Sequence, residues 1–388
     1  MKIYFIGQKG IPARSGGVEK HVEDLATHLA DAKHDVYVYT RPNYTPTELK
    51  EYKGIKLISL PTIRTKHLDA ISHTFRACLD VAKKEVDVIH FHSIGPSSLI
   101  WLIKILRPEV PIISTFHTRC YIHKKWGFFA RLYLKFGEFM ACTFADVTTT
   151  VSKSLTSYAK EKYHAQAVYI PNGVSLPEKL PTKEIKKWGL EKGNYIVAVS
   201  RLVRHKGVHY LIDAYKQLTT EKKLVIVGDG SFTEDYVQEL KQMVGDNKNI
   251  IFTGSQSGEI LNELFSNAYL FVQPSESEGL SIALLEAMSY ENAVLISDIP
   301  ENLEAAEDVG FSFKDRDVDD LKEKLSYLLK NPELVEVNGR MGRDRVDTHY
   351  SWKNISKDIV AVYNKVIIEK KATVSSRFNL VKKFTSLF

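Results

Sequence analysis

Cysteine is scarce in this chain of 388 residues. The three present, Cys78, Cys120 and Cys142, are odd in number and match no zinc or disulfide spacing. They read as reduced thiols of a cytosolic protein. Long apolar runs are also missing. The opening MKIYFIG is too short for a signal peptide. The longest apolar stretch, SSLIWLIKIL, is broken by Lys104 and falls short of the roughly 20 residues that span a bilayer. No G-x-G-x-x-G fingerprint, P-loop string or Ser/His/Asp triad appears, and no repeat or low-complexity segment stands out. Charge of one sign is in only mild excess, a formal +6, so its distribution matters more than its sum. What remains is the balance of a soluble globular protein, 44% hydrophobic and 26% charged, long enough for two domains of roughly 150 residues each.

The pattern that is present is alternation. Runs 2–6, 35–40, 87–91, 111–116 and 147–150 read as buried strands, with helical stretches between them. In the first of these, Val18, Val22, Leu25, Ala26 and Leu29 share one helical face. Strand, helix, strand repeated in this way predicts a parallel sheet covered on both sides. After Ile170-Pro171-Asn172-Gly173-Val174 and a polar stretch with Pro177 and Pro181, the pattern restarts, with strands at 195–199, 223–227, 249–252, 269–272 and 293–296. One α/β domain is therefore expected over residues 1–174 and a second over 175–355. A closing helix should run from an N-cap at Ser351 to about residue 370. Two such domains facing each other leave a cleft at their strand ends, where ligands of this architecture bind.

Four strings carry chemistry. In QPSESEGLSIALLEAMS (273–289), Glu278 and Glu286 are separated by seven residues, and Gly279 and Leu280 open an apolar helix. A glycine at a helix start bares N–H groups that favour a phosphate. Each Glu alone reads as an ordinary helix carboxylate; the whole string argues against that. In SRLVRHKGVHYLIDAY (200–215), Arg201 ends a strand and Lys206 precedes a helix, a pair suited to neutralising a diphosphate, with Arg204 and His205 as solvated neighbours. In IGQKGIPARSGGVEKHVEDL (6–25), Gly16 and Gly17 stand at a helix entry where backbone can approach a phosphate. His90, His92 and His117 lie at strand ends. The first two read as structure or polar lining, and His117 as a residue facing the cleft. Asp315, Asp317 and Asp319 invite a metal reading, but their place just before DLKEKLSYLL makes helix capping the better one.

These residues resemble glycosyltransferase family 4, the retaining enzymes of GT-B fold, over nearly the whole chain. Glu278 and Glu286 match its signature, Arg201 and Lys206 its diphosphate pair, Gly16 and Gly17 its glycine loop, and IPNGV its interdomain string. GIPARSGGVE, TKHLDAISHT (65–74) and KKWGFFARLYLKFGE (124–138) resemble a bacterial rhamnosyltransferase-like branch of surface-polysaccharide assembly. The resemblance implies two Rossmann-like domains across a cleft, with the C-terminal segment 356–388 crossing back to the first. It implies that Glu278 contacts the donor sugar, Glu286 the ribose, Arg201 and Lys206 the diphosphate, and His117 the sugar near the reacting carbon, with Gly279 and Leu280 among the donor-binding residues. A hexosyl or deoxyhexosyl group would move with retention and no metal or other cofactor. The sequence departs from the family at Glu291, Ala293 and Pro300-Glu301, and from the narrower branch at Thr118 and Cys120, which bears on donor and acceptor identity.

Residues 119–135 hold five Lys/Arg, five Tyr/Trp/Phe and no acid, a composition suited to an anionic membrane surface. In segment 377–388, Phe378, Val381, Phe384, Leu387 and Phe388 fall near one helical face. A polyprenyl-diphosphate-linked saccharide acceptor at the inner membrane face suits both segments. A core helix and a docked or disordered tail are the plain alternatives. No nucleic-acid module accompanies the basic stretch. The competing functions are a GT-B sugar-nucleotide epimerase and a catalytically silent scaffold of the same fold.

Overall fold

The structure, a computed structural model, describes all residues except 15, 66–67, 123–125, 231–232 and 386–388, and describes 374–385 as backbone only. The chain forms two compact α/β units. The first comprises residues 1–14, 18–171 and 352–388, the second residues 15–17 and 172–351.

The first unit alternates strand and helix: β1 (Lys2–Ile6), α1 (Gly17–Asp31), β2 (Asp35–Thr40), β3 (Glu51–Tyr52), β4 (Ile55–Ser59), α2 (Leu68–Val81), β5 (Val88–His92), α3 (Ile94–Ser97), α4 (Ile100–Leu106), β6 (Ile112–Phe116), α5 (Phe128–Phe144), β7 (Val147–Thr150), α6 (Lys153–Tyr163) and β8 (Ala167–Tyr169). Its eight strands are ordered β3-β4-β2-β1-β5-β6-β7-β8, and every pairing but β3–β4 is parallel. The central strands are buried on both faces because helices cover both, which is why they read as continuous apolar runs. The order reverses between β1 and β5, so the crevice where such sheets take ligands lies beyond the carboxyl ends of these two strands.

The second unit runs β9 (Tyr195–Val199), α7 (Val208–Lys216), β10 (Lys223–Val227), α8 (Glu234–Val244), β11 (Ile250–Gly254), α9 (Gly258–Ser266), β12 (Leu270–Gln273), α10 (Ile282–Ser289), β13 (Ala293–Ser297), α11 (Pro300–Ala306), β14 (Phe311–Phe313), α12 (Val318–Lys330) and α13 (Pro332–His349). Its six strands are all parallel, in the order β11-β10-β9-β12-β13-β14, and reverse between β9 and β12. Asp317 caps α12 by accepting a hydrogen bond from the Asp320 N–H at 3.0 Å, the capping role its sequence position suggests.

The last helix, α14 (Trp352–Thr385), belongs to the first unit. It starts just after Ser351, but runs past the 370 expected from its pattern. Trp352, Ile355, Ile359 and Tyr363 join Val22, Leu25 and Leu29 of α1 and Ile3 and Phe5 of β1 in one apolar core. Two polar contacts fix it further. Tyr363 Oη lies 2.7 Å from His90 Nδ1, and Lys370 donates to Asp146 at 2.9 Å. Strands β3, β8 and β14 escape sequence reading because they are only two or three residues long, and β4 because Lys56 and Ser59 interrupt its apolar residues. Among the described residues, no helix is long and apolar enough to cross a membrane.

Candidate active site

In the second unit the residues singled out by sequence gather at the reversal point. β9 ends at Val199 and the turn that follows carries Arg201 and Lys206; β12 ends at Gln273 and its turn carries Glu278, Gly279 and Leu280. The two turns touch because residue 207 is glycine. At φ +67, a Cβ there would stand 1.8 Å from the Pro274 carbonyl oxygen. The Glu276 N–H donates to the His205 carbonyl at 2.8 Å and locks the approach. Lys206 Nζ then lies 2.5 Å from Glu278 Oε1, with side chains only 15% and 9% exposed. Arg201, on the same turn, is exposed. Of the two cations expected to hold a diphosphate, one is open to solvent and the other is engaged by a carboxylate. Sequence spacing gave no hint of this pairing, since the two residues are 72 positions apart. Arg204 is paired with Glu239 and stacks on Tyr236, while still exposed.

The helix that was expected to open at Gly279 begins three residues later, at Ile282. Ser281 is the reason. Its hydroxyl caps the helix by accepting from the Leu284 N–H at 3.3 Å and donates to Gln273 Oε1 at 2.6 Å. Gly279 and Leu280 therefore sit in the turn ahead of the helix, both buried, and Glu286 lies one turn inside it, half-buried. Gln273 in turn donates to Asn302 at 2.6 Å, and Asn302 donates to Ser297 Oγ at 3.0 Å. A fully buried polar network thus supports the turn from beneath.

The departures from the family pattern find local explanations. Glu291, where a glycine is usual, has φ +63, the left-handed region that glycine enters without cost. Its carboxylate is held by Lys179 at 2.5 Å and by Arg343 at 3.7 Å, and the Lys179 hydrogen bond keeps it below the usual glutamate range. Ala293 begins β13. Pro300 occupies the first turn of α11, where its missing N–H is not needed.

In the first unit, His92 closes β5 and His117 follows β6, with His92 Nδ1 3.2 Å from His117 Nε2. Behind them His90 is bound on both nitrogens, to Tyr363 Oη and Thr115 Oγ1, each at 2.7 Å, which fits its structural reading. His21, on the apolar face of α1, packs edge-on against His117 at 4.9 Å between ring centroids. It was missed because a lone His in a helical stripe gives no signal. Burial, reinforced by the neighbouring imidazoles, holds His92 and His117 well below the usual histidine range, so both are neutral at pH 7. Thr118 and Cys120 follow His117 and are half-buried.

Among the described residues, His21, His92 and His117 form the one trio able to offer donors to a metal, with donor atoms within 4.8 Å of one another. Tetrahedral zinc needs about 3.4 Å between ligand nitrogens, so ring movement would be required. Gly16, at φ +99, and Gly17 lie at the entry to α1.

Two Rossmann-like α/β units, each with its reversal point lined by polar turns, are the parts of a GT-B fold. Comparison with known proteins agrees. The family described as Glycosyltransferase Family 4 matches residues 15–178, and Glycosyl transferases group 1 matches residues 181–345. An uncharacterized glycosyltransferase of Methanocaldococcus jannaschii is 26% identical over 357 residues, covering 90% of this chain and 95% of that protein. Phosphatidyl-myo-inositol mannosyltransferase of Mycolicibacterium smegmatis is 26% identical over 364 residues, covering 90% of each. Sucrose-phosphate synthase from Thermosynechococcus elongatus shares the fold with a TM-score of 0.81 at 21% identity, covering 95% of this chain and 99% of that one. The chain is a GT-B-fold glycosyltransferase, one that moves a sugar from a nucleotide-diphosphate donor to an acceptor.

Proposed function

We propose that this enzyme is a metal-independent, retaining hexosyl- or deoxyhexosyltransferase that extends a lipid-linked saccharide in surface-polysaccharide synthesis. The observation that carries the reading is the meeting of Lys206 and Glu278 at the reversal point of the second sheet, beside exposed Arg201 and the buried Gly279-Leu280 turn. Arg201 and Lys206 bind the donor diphosphate. The turn N–H groups and the start of α10 supply the remaining positive potential, the electrostatic work a divalent ion would otherwise do. Glu278 accepts hydrogen bonds from the sugar hydroxyls, and Glu286 from the ribose. His117, neutral, contacts the sugar near the reacting carbon. The acceptor hydroxyl attacks from the face the diphosphate leaves, and a leaving-phosphate oxygen takes its proton, which gives retention.

The acceptor reading rests on α5. Phe128, Phe129 and Leu132 are 76%, 83% and 58% exposed, Arg131 and Lys135 are exposed beside them, and the helix's one acid, Glu138, is buried. Exposed aromatics among cations suit an anionic lipid surface, and the Mycolicibacterium smegmatis relative is named for a lipid acceptor. The inner membrane face is the proposed place of action. The other segment with this composition, 377–388, lies outside the residues whose side chains are described.

The test is a thermal-shift panel with UDP, GDP, dTDP and ADP, with and without EDTA, on the wild type and Arg201→Ala. A shift with one nucleotide, insensitive to EDTA and lost in the variant, is the expected result, since a ligand bound only to the native state raises Tm. No shift with any nucleotide favours a silent scaffold. Turnover of the donor to an isomeric nucleotide-sugar without acceptor favours an epimerase.

A further inference from the structure

One side chain at the site belongs to neither turn. Asn172 is the residue at which the chain enters the second unit, yet it is only 4% exposed. Its Nδ2 donates to the Leu280 carbonyl at 2.7 Å. Its Oδ1 is buried and has no hydrogen-bond partner among the described residues. Exchanging the two atoms would set an acceptor against the Leu280 carbonyl, so the bond itself fixes the orientation of the amide. A buried carbonyl oxygen left unpaired destabilises the fold, so stability alone does not explain an asparagine here.

What the bond does is set a peptide plane. In a trans peptide the N–H points opposite to the preceding C=O. Holding the Leu280 carbonyl toward Asn172 therefore aims the Ser281 N–H the other way. Ser281 is held from its own side by Gln273, through a 2.6 Å bond, and Gln273 is held by Asn302. The peptide between Leu280 and Ser281 is thus clamped at both ends, one clamp from the network under β12 and one from the start of the unit.

Resting on the donor-site reading above, we propose that Asn172 is a positioning residue: it orients the 279–281 turn so that its N–H groups meet the donor diphosphate before any ligand arrives. It touches no reacting atom. Its effect is on nucleotide affinity, through the direction of the Ser281 N–H.

The experiment is calorimetric titration with whichever of UDP, GDP, dTDP and ADP the wild type binds, on Asn172→Asp and Asn172→Ala. Aspartate keeps the shape and replaces the Nδ2 donor by an acceptor; alanine removes the group. Val335→Ala, a buried position on α13, serves as a control for lost stability. The expected result is that both Asn172 variants weaken nucleotide binding by roughly tenfold while Val335→Ala lowers Tm and leaves Kd alone. A purely structural role would lower Tm in all three and move Kd in none. Wild-type Kd in both Asn172 variants overturns the proposal and leaves the donor site standing. A wild type that binds none of the four nucleotides overturns the donor site and this proposal with it. Should neither variant fold, amide hydrogen exchange on the wild type decides: the Ser281 amide slows on nucleotide binding, and an unchanged rate overturns the proposal.

Discussion

Replacing Glu278 by glutamine should tighten the binding of a bare nucleoside diphosphate while removing sugar transfer. In the unliganded protein Glu278 holds Lys206 at 2.5 Å in a setting where neither side chain is more than 15% exposed. A diphosphate must draw that ammonium away from a carboxylate and must itself sit near the carboxylate's charge. Both effects oppose binding, and glutamine removes both while keeping the side chain's shape. A charge pair of this kind, partly screened, corresponds to about 1–2 kcal/mol, or roughly 5–30-fold in Kd. The amide still leaves Lys206 less well compensated, so the unliganded variant should lose about 1–3 kcal/mol of stability. Transfer should fall at least about 100-fold, since the carboxylate no longer accepts from the sugar hydroxyls as charge develops. Glu278→Ala should also abolish transfer with the fold intact. The assay is calorimetric titration of nucleoside diphosphate alongside single-turnover transfer from the intact donor. Weaker diphosphate binding in Glu278→Gln would show that the carboxylate does not compete for Lys206. Transfer at the wild-type rate would remove Glu278 from the site.

Three further outcomes test other parts of the molecule. Phe128→Ser with Phe129→Ser should sharply reduce sedimentation with vesicles containing anionic lipid while leaving nucleotide binding unchanged; an unchanged partition would end the membrane role of α5. Tyr363→Phe should cost about 1–3 kcal/mol in urea unfolding, because His90 Nδ1 loses its 2.7 Å partner in a fully buried position; no change in midpoint would mean that the contact between α14 and β5 is only apolar. Asp146 gives a pH dependence. Burial opposes its charge, but hydrogen bonds from Lys104 and Lys370 outweigh this and hold the carboxyl below the usual aspartate range. A depressed folded-state pKa means the stabilisation is full above the unfolded value of about 3.9 and is lost as pH falls through the folded value. Asp146→Asn should therefore destabilise the first unit by about 2 kcal/mol at neutral pH and by progressively less in acid, and a constant difference across pH would refute the assignment.

Much of this protein was legible in its residues taken in order. Buried parallel strands announce themselves as short apolar runs, so β1, β2, β7, β9 and β10 begin and end where the pattern places them. The shortest strands do not, because two or three residues are too few to show a run; β3, β8 and β14 are of that length. The start of α10 was misplaced for another reason: Gly279 and Leu280 stand just ahead of the apolar stretch 282–285, and the Ser281 hydroxyl between them, caught between Leu284 and Gln273, marks where the helix begins.

The sequence by itself determined which residue types stand at the strand ends, and with them the chemistry available: two cations, two carboxylates, a glycine turn and a set of histidines. Only the tertiary structure decided how they are paired. Lys206 meets Glu278 because β9 and β12 are neighbours in the sheet though far apart in the chain, and because Gly207 allows their turns to touch. His21 meets His117, and Asn172 meets Leu280, on the same terms. Periodicity reports the face a residue turns toward the core; it carries no information about which distant residue waits there. That is fixed by strand order, and strand order is settled by the packing of the whole sheet.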